Sequence, residues 1–216
     1  MQTILLIRHG ESVANAGGVS SGAPDDIPLT DLGFKQAHQV ANLFSTTPDW
    51  VISSPFLRAK QTAQPTLQRF PICHYAVWPI QEFTYLSPST CVGTTVEDRR
   101  ARVQAYWDAA DPDYVDGEGA ESFNNLLARV ETMLACLKPM QGTVVLFTHG
   151  QVMRATQMLF AYPDKTPKQL MQQFRAEPSI PNAAVIPLNL DAYTTISWGR
   201  AWKFYNQPHL SVINDW

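Results

Sequence analysis

Two short apolar runs frame this chain. Residues Ile4 to Ile7 near the start and Val144 to Phe147 far downstream show no polar alternation, which is the pattern of strands buried on both faces. Each run breaks into a His-Gly turn, Arg8-His9-Gly10-Glu11 in the first case and Thr148-His149-Gly150 in the second. In open α/β sheets, ligands bind at the carboxyl ends of the strands. If the two strands are parallel neighbours, His9 and His149 face each other at that edge.

Between and after these runs the pattern alternates helix and strand. Thr30 can cap a helix carrying Phe34, Ala37, Val40, Ala41 and Phe44 at helical spacing. Trp50 to Ile52 reads as a strand, stopped by Ser53-Ser54-Pro55, and a helix starts near Phe56 with Arg58 in its first turn. Tyr75 to Trp78 reads as a third strand, followed by Glu82. Phe123, Leu126, Leu127, Val130, Met133, Leu134 and Leu137 define a long amphipathic helix, ended by Pro139 and Gly142. Another helix runs from about Gln151 to Ala161. A proline-punctuated stretch from Pro163 to Pro181 follows. Two closing strands, Ala183 to Leu190 and Thr194 to Tyr205, read as a hairpin turning at Asp191.

From Leu86 to Gly119 the strand pattern lapses for longer than the ~12–15 residues of a simple connection. Thr94-Thr-Val-Glu97 reads as a capping box, and Val103, Trp107 and Ala110 give the next helix one apolar stripe. The expected architecture is therefore a single α/β domain over residues 1–216, a three-layer α/β/α sandwich with a mostly parallel central sheet. A helical cap is inserted at about 79–118.

Composition narrows the function. The 216 residues are 45% hydrophobic and 16% charged, which suits a globular protein with a sizeable core. A formal charge of -3 argues against a nucleic-acid surface. No apolar run approaches the ~20 residues of a membrane span. The chain enters a strand at once, with no basic leader, so the cytoplasm is the expected compartment. Cys73, Cys91 and Cys136 are odd in number and form no C-x-x-C, so free thiols are expected. The tryptophans are expected in core and strand packing. The sequence leaves the oligomeric state open, a homodimer included.

The polar residues at the strand ends carry the chemistry. Arginine forks match phosphate oxygens. A histidine with an unprotonated nitrogen can attack phosphorus, and a carboxylic acid can protonate a leaving oxygen. Arg8, His9, Arg58, Glu82 and His149 are together the parts of a phosphoryl transfer through phosphohistidine. Positive side chains would act where magnesium acts elsewhere. A metal centre would need a third ligand, and the arginines would repel a cation, so no metal and no cofactor are expected. The Gly- and Ser-rich loop from Gly17 to Gly22 can bring backbone N–H groups to an anion, or can be an ordinary surface loop. The run Arg99, Arg100 and Arg102 reads as a solvated face, with a grip on a second anion as the other reading.

These residues resemble the histidine phosphatase superfamily in its phosphoglycerate mutase-like branch. Arg8-His9-Gly10-Glu11 matches its first motif. Leu29-Thr30 with Gly33, Gln36 and Ala37 is similar to its first-helix pattern, and Ser53-Ser54-Pro55 with Arg58, Ala59, Gln61 and Thr62 to its second-arginine motif. Gly119 with Glu121-Ser122, Thr148-His149-Gly150, and Tyr205-Asn206 with His209-Leu210 continue the match in order. The acid phosphatase and phytase branch carries arginine and proline after R-H-G, where Glu11-Ser12-Val13 stand here. The resemblance implies a phosphorylated nucleophile at His9. It implies phosphoryl binding by Arg8, Arg58 and His149, proton donation by Glu82, and pocket positions at Asn15, Ser21 and Gly22. Glu11 is the alternative acid. The implied ligands are a small phosphorylated metabolite and phosphate- or sulfate-like anions.

The implied activity is hydrolysis of a small phosphomonoester, with two rivals. Mutases of this branch carry an arginine after the catalytic glutamate and a glycine after the tyrosine. Here Phe83 and Leu86 stand at those places, Tyr85 is kept, and no lysine occurs between Lys60 and Lys138. Those departures favour transfer to water. The other rival is a catalytically silent module that binds a phosphate ligand.

Overall fold

The structure is a computed structural model that describes residues 2–17 and 23–192. Five strands form one sheet in the order β3-β2-β4-β1-β5. They are β1 (Gln2–Arg8), β2 (Trp50–Ser53), β3 (His74–Val77), β4 (Gly142–Thr148) and β5 (Val185–Leu188). The first four are mutually parallel, and β5 runs antiparallel along β1. The helices are α1 (Asp31–Asn42), α2 (Leu57–Arg69), α3 (Arg100–Ala109), α4 (Phe123–Leu137), α5 (Gly150–Ala161) and α6 (Pro167–Phe174).

The two-residue alternation of the strands divides the core into two layers. Ile7, Val51, Val145 and Phe147 pack with Val40 of α1 and Ala63 of α2. Ile4, Leu6, Ile52, Val144 and Leu146 face α4, α5 and α6 on the other side. All seven apolar positions expected on α4 are buried. The result is the α/β/α sandwich read from the sequence.

This arrangement decides where chemistry can sit. The helix after β1 packs on one face of the sheet and the helix after β4 on the other, although β1 and β4 are neighbours. A crevice opens where the chain parts in this way. The register pairs Arg8 with Thr148, so the two His-Gly turns leave the sheet side by side.

Several elements differ from the sequence reading. Thr30 does cap α1 by accepting from Gly33 N–H, but Phe34 is 38% exposed and lies outside the core. The reciprocal capping pair before α3 is Thr95 with Asp98, one residue later than expected, and it closes a turn rather than the helix start. The proline-punctuated stretch contains α6, whose Thr166 and Gln169 form a full capping box. Around Asp191 the chain makes a 3-10 turn, Leu190–Ala192. The second closing strand, the motif from Tyr205 to Leu210, and Ser21 and Gly22 all lie outside the described residues.

Candidate functional site

The crevice is built by the ends of β1, β2 and β4 and the first turns of the helices that follow them. His9 is 2% exposed and His149 is fully buried, with their ring centroids 5.0 Å apart. Arg58, from the first turn of α2, is 6% exposed and donates from Nε to His9 Nε2 at 3.2 Å. Its Nη1 donates to the Pro24 carbonyl at 2.6 Å, and its guanidinium lies 4.9 Å over the Phe56 ring. Arg8 donates to the Ile180 carbonyl, while its Nε has no partner among the described residues.

The hydrogen bonds fix the tautomer of His9. Nδ1 lies 2.6 Å from the Gly10 carbonyl, which can only accept, so Nδ1 carries the proton. Arg58 Nε can only donate, so Nε2 presents its lone pair. Burial, the Arg58 charge and then Arg8 push the His9 imidazole down to about 3 from the ordinary 6.5, against the opposing pull of the Gly10 bond. His149 is held well below its ordinary value by burial and by the same arginines, with His9 adding to them, and its Nε2 meets Ser54 Oγ at 2.7 Å. Both rings are therefore neutral near pH 7.

Close backbone contact holds the nucleophile loop. A Cβ on Gly10 would sit 2.5 Å from the Gly33 carbonyl oxygen, and one on Gly33 would sit 2.1 Å from that of Glu11. Only glycine permits α1 to abut the loop in this way. Gly10 N–H donates to Thr62 Oγ1 on α2 at 3.0 Å, and Glu11 N–H to Gln36 Oε1 on α1 at 2.7 Å.

Glu82 reaches the same crevice from the segment after β3. The residue is partly exposed, but its carboxyl group is enclosed and accepts from Phe83 N–H at 3.0 Å and Gln151 N–H at 3.1 Å. Burial pushes the Glu82 carboxyl above its ordinary value, opposed by the Phe83 bond, by Arg58 and Arg8, and by the Gln151 bond. Glu11, the alternative acid, accepts from Thr30 Oγ1 at 2.8 Å, at the start of α1.

Asn15 is exposed and lines the mouth of the crevice. Its Oδ1 accepts from Ser12 and, at 3.0 Å, from Asn182 Nδ2. Asn182 was not singled out from the sequence. Its amide also donates to the carbonyls of His9, at 3.1 Å, and Gly10, at 3.2 Å, and so ties the turn before β5 to the nucleophile loop. The one signal for it is its place in Pro181-Asn182-Ala183, just before a strand, with Ala183 at φ 58°.

A cleft of about 420 Å³ is lined by Arg8, Glu82, Gly150 and Gln151 together with Tyr85 and Trp107, while His9, Arg58 and His149 are buried and do not line it. A larger cavity of about 500 Å³ lies between α5 and the strand end near Ile186. It contains none of the predicted site residues, so the chemistry assigns the site to the smaller one. No helix among the described residues is long and apolar enough to cross a membrane.

The neutral state of His9 has a measurable consequence. A folded-state value below the unfolded one means that the unfolded chain binds more protons between about pH 6.5 and 3. The contribution of His9 to stability is therefore fully present above pH 6.5 and declines as pH falls through that window. Urea unfolding at pH 6.5, 6.0, 5.5 and 5.0 should show the wild type losing up to about 1.4 kcal/mol per pH unit more than His9→Asn. Parallel pH dependences would mean that His9 is not held neutral by the fold.

The profile of the histidine phosphatase superfamily (branch 1) matches residues 4–195. The chain belongs to this superfamily. Among curated proteins it is similar to the adenosylcobalamin/alpha-ribazole phosphatase of Salmonella typhi, 27% identical over 162 residues that cover 73% of this chain and 79% of that protein. Its fold matches a mycobacterial glucosyl-3-phosphoglycerate phosphatase complexed with VO3, with TM-score 0.67, 24% identity, and 88% and 93% of the two chains covered. It also matches a phosphoserine phosphatase of Entamoeba histolytica in complex with 3-phosphoglyceric acid, with TM-score 0.67, 23% identity, and 87% and 90% covered. The curated proteins this chain is similar to thus include a phosphatase.

Proposed function

We propose that this chain is a metal-independent phosphomonoesterase that hydrolyses a small phosphorylated metabolite through a phosphohistidine on His9. The observation that carries this reading is the His9 ring, buried and neutral, with Nδ1–H on the Gly10 carbonyl and the Nε2 lone pair facing Arg58. A nucleophile needs that lone pair.

The steps follow from the geometry. Arg58 and Arg8 take the phosphoryl oxygens, which requires Arg58 to move from Nε2 to the substrate. Nε2 forms a bond to phosphorus as the ester oxygen leaves with the Glu82 proton. The Gly10 carbonyl eases the positive charge that develops on the ring. Glu82, now a carboxylate, takes a proton from water as that water attacks phosphorus and breaks the P–N bond. Neutral His9, protonated Glu82 and inorganic phosphate result. A raised Glu82 is suited to both halves of this cycle. The pairing of Glu11 with Thr30 leaves Glu82 as the acid. His149 and the N–H groups at the start of α5 stabilise the charge on the transferring group. Ser21 and Gly22 are proposed at the pocket mouth on the resemblance alone.

Residues 79–118 act as the cap of a single domain, since Glu82, Tyr85, Val103 and Trp107 all contribute to the cleft wall. Mutase activity is the weaker reading. Phe83 is 3% exposed among Tyr85, Tyr106, Trp107 and Phe123, and Leu86 is buried, so neither position offers a group to a substrate carboxylate. A silent binding module would not need an acid raised beside a neutral nucleophile.

Hydrolysis of p-nitrophenyl phosphate should persist undiminished in excess EDTA, because Arg8 and Arg58 occupy the ground a cation would need. Activity abolished by chelation and restored by one divalent ion would overturn the phosphohistidine reading.

A further inference from the structure

The chain is acidic, yet the cleft holds Arg8, Arg154 and Arg175 against one carboxylate, Glu82. Arg8, with Arg58 behind it, answers the charge of one phosphoryl group in the proposed reaction. Arg154 and Arg175 remain.

Arg154 projects from the first half of α5. Its guanidinium lies 5.1 Å over the Phe174 ring, and its two Nη groups donate to the Phe174 and Pro178 carbonyls, each at 3.2 Å. Its buried Nε has no partner among the described residues. Burial lowers the Arg154 guanidinium from its ordinary value, while the Glu82 and then the Glu177 charges offset this. Arg154 is therefore a fixed cation, held by carbonyls that carry no net charge. Arg175 follows α6, is exposed, and among the described residues donates from Nη1 to Gln104 Oε1 on α3, at 2.8 Å. No carboxylate pairs with either residue among the described ion pairs.

The cap's own basic run does not compete for this role. Arg99 donates to Thr94, Arg100 pairs with Glu97 in solvent, and Arg102 pairs with Asp116. None of the three lines the cleft. The sequence reads that run as a solvated face, with a grip on a second anion as the other reading, and the fold commits it to bonds within the cap.

Resting on the phosphatase reading, we propose that Arg154 and Arg175 form a second anion subsite. The substrate class is then a phosphomonoester that carries another anionic group, with Tyr85, Val103 and Trp107 against its carbon skeleton. Arg175 makes the direct contact, and Arg154 supplies a fixed positive field and one Nε–H. A carboxylate and a second phosphate share this chemistry. The cleft volume of about 420 Å³ suits a small ligand of either kind.

The test uses substrate pairs that differ in the second anion. 3-Phosphoglycerate is compared with glycerol 3-phosphate, phosphoserine with phosphoethanolamine, and 1,3-propanediol bisphosphate with its monophosphate. For the wild type, kcat/KM should favour the member with the second anionic group in at least one pair by roughly 10- to 100-fold, the range of a charge-assisted contact. Whichever pairs discriminate identify carboxylate or phosphate as the recognised group. Arg175→Ala should bring that ratio close to one, mainly through KM, and Arg175→Lys should restore part of it. The same pairs titrated calorimetrically into His9→Ala, which cannot turn over, read the subsite without catalysis. Equal affinity within every pair overturns the subsite, as does discrimination that survives both Arg175→Ala and Arg154→Ala. Turnover of p-nitrophenyl phosphate by the wild type is the separate check on the phosphatase reading. Its loss with pair discrimination intact in titration would leave the subsite standing and remove the enzyme.

Discussion

Brief mixing of the wild-type protein with 32P-labelled substrate, quenched in alkali, should leave label on the peptide containing His9. His9→Ala should lose both the label and turnover. The alkaline quench is diagnostic because phosphohistidine survives base and is lost in acid, whereas a phosphoserine behaves in the opposite way toward alkali. The expected loss of turnover is roughly 10⁵- to 10⁶-fold, by analogy with removal of the nucleophile in other covalent enzymes. His149→Ala should differ in kind. It leaves the nucleophile and its Gly10 bond in place and removes a ring that meets Ser54 beside the transferring group. Loss of one such stabilising group costs about 2.7–4 kcal/mol in a comparable oxyanion site, or roughly 100- to 1000-fold in rate. Some labelling should therefore survive in His149→Ala. Label found on His149 in the wild type, with His9→Ala still labelled, would exchange the two histidines' roles.

The asymmetry between the two histidines was only partly legible in the sequence. Both apolar runs and both His-Gly turns were, because a strand buried on both faces leaves a continuous apolar signature. Their parallel pairing follows once β1 and β4 are neighbours. The tautomer is another matter. It depends on the Gly10 carbonyl and on Arg58, which is 49 residues away along the chain. No local pattern encodes that meeting. Asn182 is a similar case, since its three hydrogen bonds all reach back to the first fifteen residues. α6 was a local signal that could have been read. Thr166-Pro167 with Gln169 three residues after the cap is a helix start, and Leu170, Met171 and Phe174 lie on one face. The prolines on either side masked it. The arginine run at the start of α3 was legible as a surface feature rather than a ligand grip, and the partners that occupy it, Asp116 and Thr94, come from the adjoining loop.

Glu82→Gln should separate substrates by their leaving groups. An alkoxide leaves poorly unless protonated, so the mutant should lose roughly 10²- to 10⁴-fold on alkyl phosphates such as glycerol 3-phosphate. p-Nitrophenolate leaves readily without a proton, so its phosphorylation step should fall far less. The glutamine side chain matches glutamate in shape, and its carbonyl can still accept from Phe83 and Gln151 N–H, so the loss reports the proton rather than a collapsed site. The enclosure that raises the Glu82 carboxyl also predicts the pH profile. Wild-type kcat on alkyl phosphates should fall as pH rises through the elevated Glu82 value, because the acid form is lost. The same limb should be absent for Glu82→Gln. Glu11→Gln should leave leaving-group selectivity intact, since that carboxylate is held at Thr30 on α1. Selective loss on alkyl phosphates in Glu11→Gln, with none in Glu82→Gln, would move the acid role to Glu11. In that event the bonds to Phe83 and Gln151 would have to be read as anchoring the cap to the first turn of α5.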